Sequence, residues 1–94
     1  MSRTASHVLL DMLSEQGVRY VFGNPGTTEL PLIDAIVGDD RIDYVLGLQE
    51  IPVVAAADGY AQASRSLGVV NLHVSCGLGN SMGMIYNAFR EGTP

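Results

Sequence analysis

The sequence predicts an α/β domain in three layers, with helices on both faces of a parallel sheet. Three observations carry this. Short β-rich runs alternate with longer helical patterns in the order α-β-α-β-α-β-α, the alternation that builds parallel βαβ units. The strand runs are near-continuously apolar, as expected of strands covered on both faces. Ala, Val, Leu, Gly and Met dominate a composition that is 47% hydrophobic and 16% charged, which suits helices packed closely on a sheet.

Each element follows from local chemistry. Thr4 can cap a first helix in which Ala5, Leu9, Met12 and Leu13 recur at helical spacing, and Gly17 ends it. Val18 to Phe22 (VRYVF) is a β-rich run, hence a strand. Gly23-Asn24-Pro25-Gly26-Thr27-Thr28 is turn-rich, with Thr27 or Thr28 available as an N-cap. Glu29 and Pro31 suit the first turn of a second helix, which continues through Leu32, Ile33, Ile36 and Val37 to a stop at Gly38. Ile42 to Leu48 is the second strand. Pro52 marks the first turn of a third helix, which runs to about Ser66. Gly59 inside it costs about 1 kcal/mol relative to Ala, so close packing against a neighbour is expected there. Val69 to Val74 is the third strand. Ser75-Cys76-Gly77-Leu78-Gly79-Asn80 reads as a glycine-rich loop. Ser81 to Phe89 is the fourth helix, with Met82, Ile85 and Phe89 on one stripe.

Composition bounds the function. Ninety-four residues allow one small domain, and a chain of this size buries roughly 60–65% of its unfolded surface. The net charge is −5, there is no Lys, and five scattered Arg make no basic patch, so nucleic acid and anionic membranes are poor partners. No apolar run approaches the roughly 20 residues of a membrane span. The N-terminal segment carries Asp11 and Glu15 inside its apolar periodicity and reads as an amphipathic helix, not a signal peptide. A single Cys fits a reducing compartment, so a cytoplasmic protein is expected. Three strands make an incomplete sheet with an unprotected edge. With the stop signals Gly92 and Pro94, that edge leads to the expectation that residues 1–94 are part of a longer chain.

In open α/β sheets ligands bind outside the carboxyl ends of the strands. Here those ends carry GNPGTT, Gln49-Glu50, and His73 through Asn80, which parallel strands place on one rim. Glu50 is the only group charged at neutral pH between Tyr44 and Ala57. It reads either as a helix N-terminal acid or as a working carboxylate, one that shares a proton with a basic ring nitrogen of a ligand. His73 is either a core histidine satisfied by backbone or a proton shuttle at a strand end. Thr27 is a helix N-cap, a hydroxyl donor to substrate, or both. Asn80 is a cap of the fourth helix or an amide aimed at a ligand ring. Cys76 reads as a small buried filler.

Taken together, GNPGTTELP, LGLQEIPVVAAADGYAQAS and NLHVSCGLGNSMG resemble the N-terminal pyrimidine-binding domain of thiamine diphosphate-dependent enzymes, in the pattern of benzoylformate decarboxylase and its relatives. The resemblance runs from about Leu10 to the end. It implies a flavodoxin-like fold of which residues 1–94 supply the first three strands and four helices, truncated at the C-terminus. It matches Glu50 to the carboxylate that hydrogen-bonds N1′ of the cofactor's aminopyrimidine and so promotes loss of the thiazolium C2 proton. His73 matches a histidine that relays protons to and from the substrate-derived intermediate. Thr27 falls where that group has a substrate-contacting serine. Pro25, Gly26 and Asn80 match positions lining the pyrimidine end of the cofactor.

The implied substrate is a 2-oxo acid and the implied assembly a homo-oligomer, at least a dimer and, when full length, a tetramer. Such enzymes hold the diphosphate through Mg²⁺ on a separate domain at a Gly-Asp-Gly…Asn motif, which Gly38-Asp39-Asp40 is not. The 94 residues alone are therefore expected to be inactive. The acetohydroxyacid synthase (acetolactate synthase) branch shares the glutamate and the fold but does not usually carry the histidine, so His73 favours the decarboxylase branch over a carboligase. Two other readings stand beside these. Gly77-x-Gly79-x-x-x-Gly83 between a strand and a helix is compatible with a dinucleotide-binding module, though that leaves Glu50 and GNPGTT unexplained. A non-catalytic interaction domain is the other.

Overall fold

The computed structural model describes residues 3–94. Helix α1 (Ala5–Glu15) leads to strand β1 (Tyr20–Asn24). A 3-10 turn (Thr27–Glu29) then enters α2 (Leu30–Val37), followed by β2 (Asp43–Leu46), α3 (Glu50–Ser64), β3 (Val70–Leu72) and α4 (Val74–Glu91). The sheet is parallel with β1 in the centre, in the order β2-β1-β3. Tyr20 faces Asp43 on one side of β1, and Phe22 faces Val70 on the other.

Strand alternation divides the core between two faces. Val21 points to the side covered by α1 and α2, where Leu10, Ala35, Ile36 and Ile42 close around it. Tyr20 and Phe22 point to the other side, against Val53, Ala57 and Tyr60 of α3. Helix α4 packs on α3. The three-layer arrangement is thus the one the sequence predicts. Val45 and Leu46 of the edge strand β2 remain exposed.

Several local signals act as expected. The Thr4 hydroxyl accepts the His7 backbone N–H at 3.3 Å, and α1 ends before Gly17. Gly38 caps α2, and Pro31 lies in its first turn. Between α2 and β2, Arg41 donates to Asp39 at 2.7 Å and to Asp11 at 2.8 Å, which ties the turn to α1. Asp39 and Asp40 are therefore turn and surface residues.

Other expectations are corrected. The stretch Ser75–Asn80 is not a loop: α4 begins at Val74, immediately after His73, and absorbs it. Each helical glycine costs about 1 kcal/mol, and at Gly77 packing offsets it. Gly77 is buried beside Leu72, and the fully buried Ser81 hydroxyl donates back to the Gly77 carbonyl at 2.9 Å. Because Gly77, Gly79 and Gly83 lie within the helix, no loop of dinucleotide type exists there. Asn80 is consequently not a cap. Cys76 is exposed, not buried. Neither Thr27 nor Thr28 caps α2, because the 3-10 turn starts from Gly26. Gly59 meets no neighbour, so close packing does not account for it. Of the expected α4 stripe, Met82 and Phe89 are exposed, while Ile85 is partly buried toward α3.

Candidate cofactor-binding site

The carboxyl ends of β1 and β3 and the N-terminus of α3 form one rim, and the sheet divides its polar groups into two clusters. The first surrounds Glu50, on the α3 face. Gln49 caps α3 by accepting the Ile51 N–H at 2.6 Å, which leaves Glu50 as the first helical residue, half-buried. One of its carboxylate oxygens accepts the Asn80 side-chain amide at 3.3 Å and the other the Asn24 amide at 3.5 Å. Asn24 shares the parity of Phe22 on β1, which turns it to this face. Asn80 reaches Glu50 only because α4 starts early and carries it along the helix. Glu50 is thus a helix N-terminal acid, as one of its two readings had it, and a half-buried carboxylate with two long amide contacts.

The second cluster surrounds His73, on the α1/α2 face. His73 follows β3 with the parity of Asn71, opposite to Leu72. Its Nδ1 lies 2.8 Å from Glu29 Oε1 and 3.2 Å from the Thr28 hydroxyl. Glu29 also accepts the Thr28 hydroxyl at 2.6 Å and the Gly26 backbone N–H at 2.7 Å. These donors, Thr28 first, then His73 and Gly26, hold the Glu29 carboxyl down at about 2, below the ordinary 4.5. Beside it, Tyr44 donates to Asn71 Oδ1 at 2.8 Å across the unsubstituted Cα of Gly23. Burial first, and then the Glu29 charge, push the Tyr44 phenol up to about 12.

Val74, immediately after His73, has φ +52, a left-handed conformation uncommon for a β-branched side chain. Gly26 lies so close to the His73 ring that a Cβ there would stand 2.2 Å from Cε1. Thr27 is exposed and makes no side-chain hydrogen bond to another described residue. Pro25 sits between Asn24 and Gly26. Glu50, Asn80 and Asn24 are thus joined directly, as are His73, Glu29 and Thr28, and the GNPG loop links the two groups.

A family model described as "Thiamine pyrophosphate enzyme, N-terminal TPP binding domain" matches residues 3–94. The chain belongs to this family. The TPP-binding domain is 42% identical over 92 residues to benzoylformate decarboxylase of Pseudomonas aeruginosa, covering 98% of this chain and 17% of that protein. It is 35% identical over 94 residues to the mitochondrial acetolactate synthase catalytic subunit of Aspergillus candidus, covering all of this chain and 14% of that protein. The solved structure of benzoylformate decarboxylase from Polynucleobacter necessarius superposes with a TM-score of 0.90 at 41% identity, over 99% of this chain and 17% of that one. The TPP-binding domain therefore spans less than a fifth of the length of these relatives.

Glu29 and Asn24 were not singled out as site residues from sequence. Glu29 reads locally as a helix first-turn acid, and its partner His73 lies 44 residues away. Asn24 had one usable signal, its strand parity with Phe22.

Proposed function

We propose that this TPP-binding domain is the pyrimidine-activating part of a thiamine diphosphate-dependent 2-oxo acid decarboxylase of the benzoylformate decarboxylase kind, residues 1–94 being one portion of a longer chain. The observation that carries the reading is the presence, on one rim, of a half-buried carboxylate held only by amides and a histidine held by a second carboxylate. The donor set fits an aminopyrimidine. Among the described residues no cation pairs with Glu50, and its amide contacts of 3.3 and 3.5 Å are long enough to yield to a ring nitrogen. Bound thiamine diphosphate supplies a thiazolium that serves as electron sink for cleavage beside a carbonyl.

The chain's own residues divide the remaining work. Glu50 holds a proton against the pyrimidine nitrogen. Asn24 and Asn80 orient its carboxylate, and Pro25 and Gly26 line the same end of the cofactor. His73 accepts and returns protons at the substrate side, and the exposed Thr27 hydroxyl contacts substrate. Among the described residues no group of three His, Cys, Asp or Glu stands close enough to hold a metal, and the proposal puts Mg²⁺ and the diphosphate on another domain. Val37, Leu46, Leu48, Tyr86 and Phe89 are each largely exposed, apolar side chains that the rest of the chain or a second subunit would cover. Among the described residues no helix is long and apolar enough to cross a membrane.

The test is Glu50→Gln in the intact protein that carries this domain. It keeps the side-chain shape and removes the proton-holding group, and turnover should fall about 10³-fold with the fold retained by circular dichroism. Near-normal turnover refutes the assignment. The identity to acetolactate synthase supports a second reading, a carboligase acting on the same activated cofactor. Product analysis separates them: an aldehyde supports the first, a 2-hydroxy-3-oxo acid the second.

A further inference from the structure

We propose that Glu29 is a positioning residue: it locks His73 as the Nδ1–H tautomer, so that Nε2 is the one atom through which this domain takes up and releases protons at the substrate side. The inference rests on the role proposed above for His73, and it adds a residue and an atom to it.

Hydrogen-bond bookkeeping fixes the tautomer. Thr28 has a single hydroxyl hydrogen, and the 2.6 Å contact commits it to Glu29 Oε1. Glu29, held ionised by its three donors, can only accept. Nδ1 of His73 faces both, at 2.8 Å from Oε1, 3.1 Å from Oε2 and 3.2 Å from the Thr28 oxygen. Every partner of Nδ1 is therefore an acceptor, and Nδ1 must carry a hydrogen. In a neutral imidazole the lone pair then belongs to Nε2.

Among the described residues Nε2 has no hydrogen-bond partner and no buried side-chain nitrogen lacks one, so Nε2 reaches solvent. A proton arriving there forms an imidazolium whose charge Glu29 offsets. The same proton leaves from the same atom, and Nδ1–H stays bound to Glu29 throughout.

The carboxylate is itself fixed. The Gly26 N–H holds Oε2 at 2.7 Å, so Glu29 does not swing away when His73 changes charge. Gly26 also abuts the ring directly, with no room for a side chain between them. Backbone, carboxylate and imidazole form one rigid chain, and the Glu29 side chain is only 15% exposed. The Gly26 contact is the capping-box bond of the 3-10 turn, but an acid serving only that turn would need neither the His73 nor the Thr28 contact, and Glu29 does not cap α2 through its side chain.

The test is ¹⁵N NMR of histidine-labelled intact protein at mildly alkaline pH, with the His73 signals assigned by their loss in His73→Gln. The wild type should show a protonated Nδ1 and a pyridine-type Nε2. Glu29→Gln keeps an acceptor for Gly26 but presents an amide N–H to Nδ1. The tautomer should invert, and kcat should fall about 10- to 100-fold with KM little changed. A wild-type His73 protonated at Nε2 overturns the proposal without recourse to any variant. So does a Glu29→Gln enzyme whose tautomer inverts at unchanged kcat, or whose kcat falls with the tautomer unchanged. Failure of the underlying reading looks different: the wild type would show no thiamine-dependent turnover and Glu50→Gln would match it, while the tautomer would still report on Glu29.

Discussion

Replacing Gly26 by alanine probes the site with one methyl group. Gly26 has φ −129 and ψ −169, extended backbone that alanine adopts without strain, so the effect is steric alone. The new Cβ would stand 2.2 Å from His73 Cε1 and 2.3 Å from both ring nitrogens. Restoring an ordinary contact of 3.4 Å requires the ring to withdraw by about 1.2 Å. Overpacking of this kind costs about 1–3 kcal/mol of stability. The withdrawal also stretches the 2.8 Å contact with Glu29 beyond hydrogen-bond length or rotates the ring out of it. A misplacement of about 1 Å in a group that must meet a reacting atom costs roughly 10²-fold in rate. The Gly26 N–H remains, so Glu29 keeps its backbone donor and the perturbation falls on His73. The assay is kcat of the intact Gly26→Ala protein at saturating thiamine diphosphate and 2-oxo acid, alongside a thermal melt. A melt lowered as expected with kcat unchanged would show that the position of His73 does not matter to turnover, and the functional reading of the second cluster would fall.

Two further outcomes follow from the same geometry. The Glu29 carboxyl titrates at about 2 in the folded domain and at 4.5 when unperturbed, so its contribution to stability is present above about 4.5 and is lost as pH falls to about 2. Melts across that window should slope downward with acid, and Glu29→Gln should flatten the slope; equal slopes contradict the contacts. Val74 holds a left-handed conformation at the cost of about 2 kcal/mol, while its side chain, 51% exposed, recovers about 1 kcal/mol by burial. Val74→Asn, which tolerates this conformation, should therefore stabilise the domain by about 1 kcal/mol. A lower melting temperature would show that the side chain packs more than its exposure implies.

Element order and sheet direction were legible because they depend on local signals that tertiary structure reinforced. Thr4, Gly17, Gly38 and Pro31 each mark a boundary through backbone chemistry that acts within a few residues. The start of α4 was not legible for the opposite reason. Gly77 and Gly79 disfavour helix locally, and the compensating contacts of Gly77 and Ser81 belong to other elements. Site residues divide in the same way. Glu50 stands out as an isolated charge, and His73 by its place at a strand end. Glu29 does not stand out, because an acid before Pro31 already has a sufficient local explanation. Its contact with His73 exists only once β3 brings His73 beside the 3-10 turn.

The GNPG loop touches both clusters although the sheet lies between them. The Asn24 side chain reaches Glu50 on one face; two residues later, the Gly26 N–H holds Glu29 on the other, and its Cα packs on His73. Pro25 stands between, with its φ fixed by the ring and no N–H to satisfy. A flexible residue there would let one cluster shift without the other. With proline, a movement of the loop that lengthens the Asn24–Glu50 contact also shifts Gly26 against the imidazole. The position of the carboxylate proposed to meet the cofactor and that of the histidine proposed to meet the substrate are thereby mechanically coupled through three consecutive residues. Helix α4 supplies a second link between the two faces, because it starts directly after His73 and carries Asn80 to Glu50.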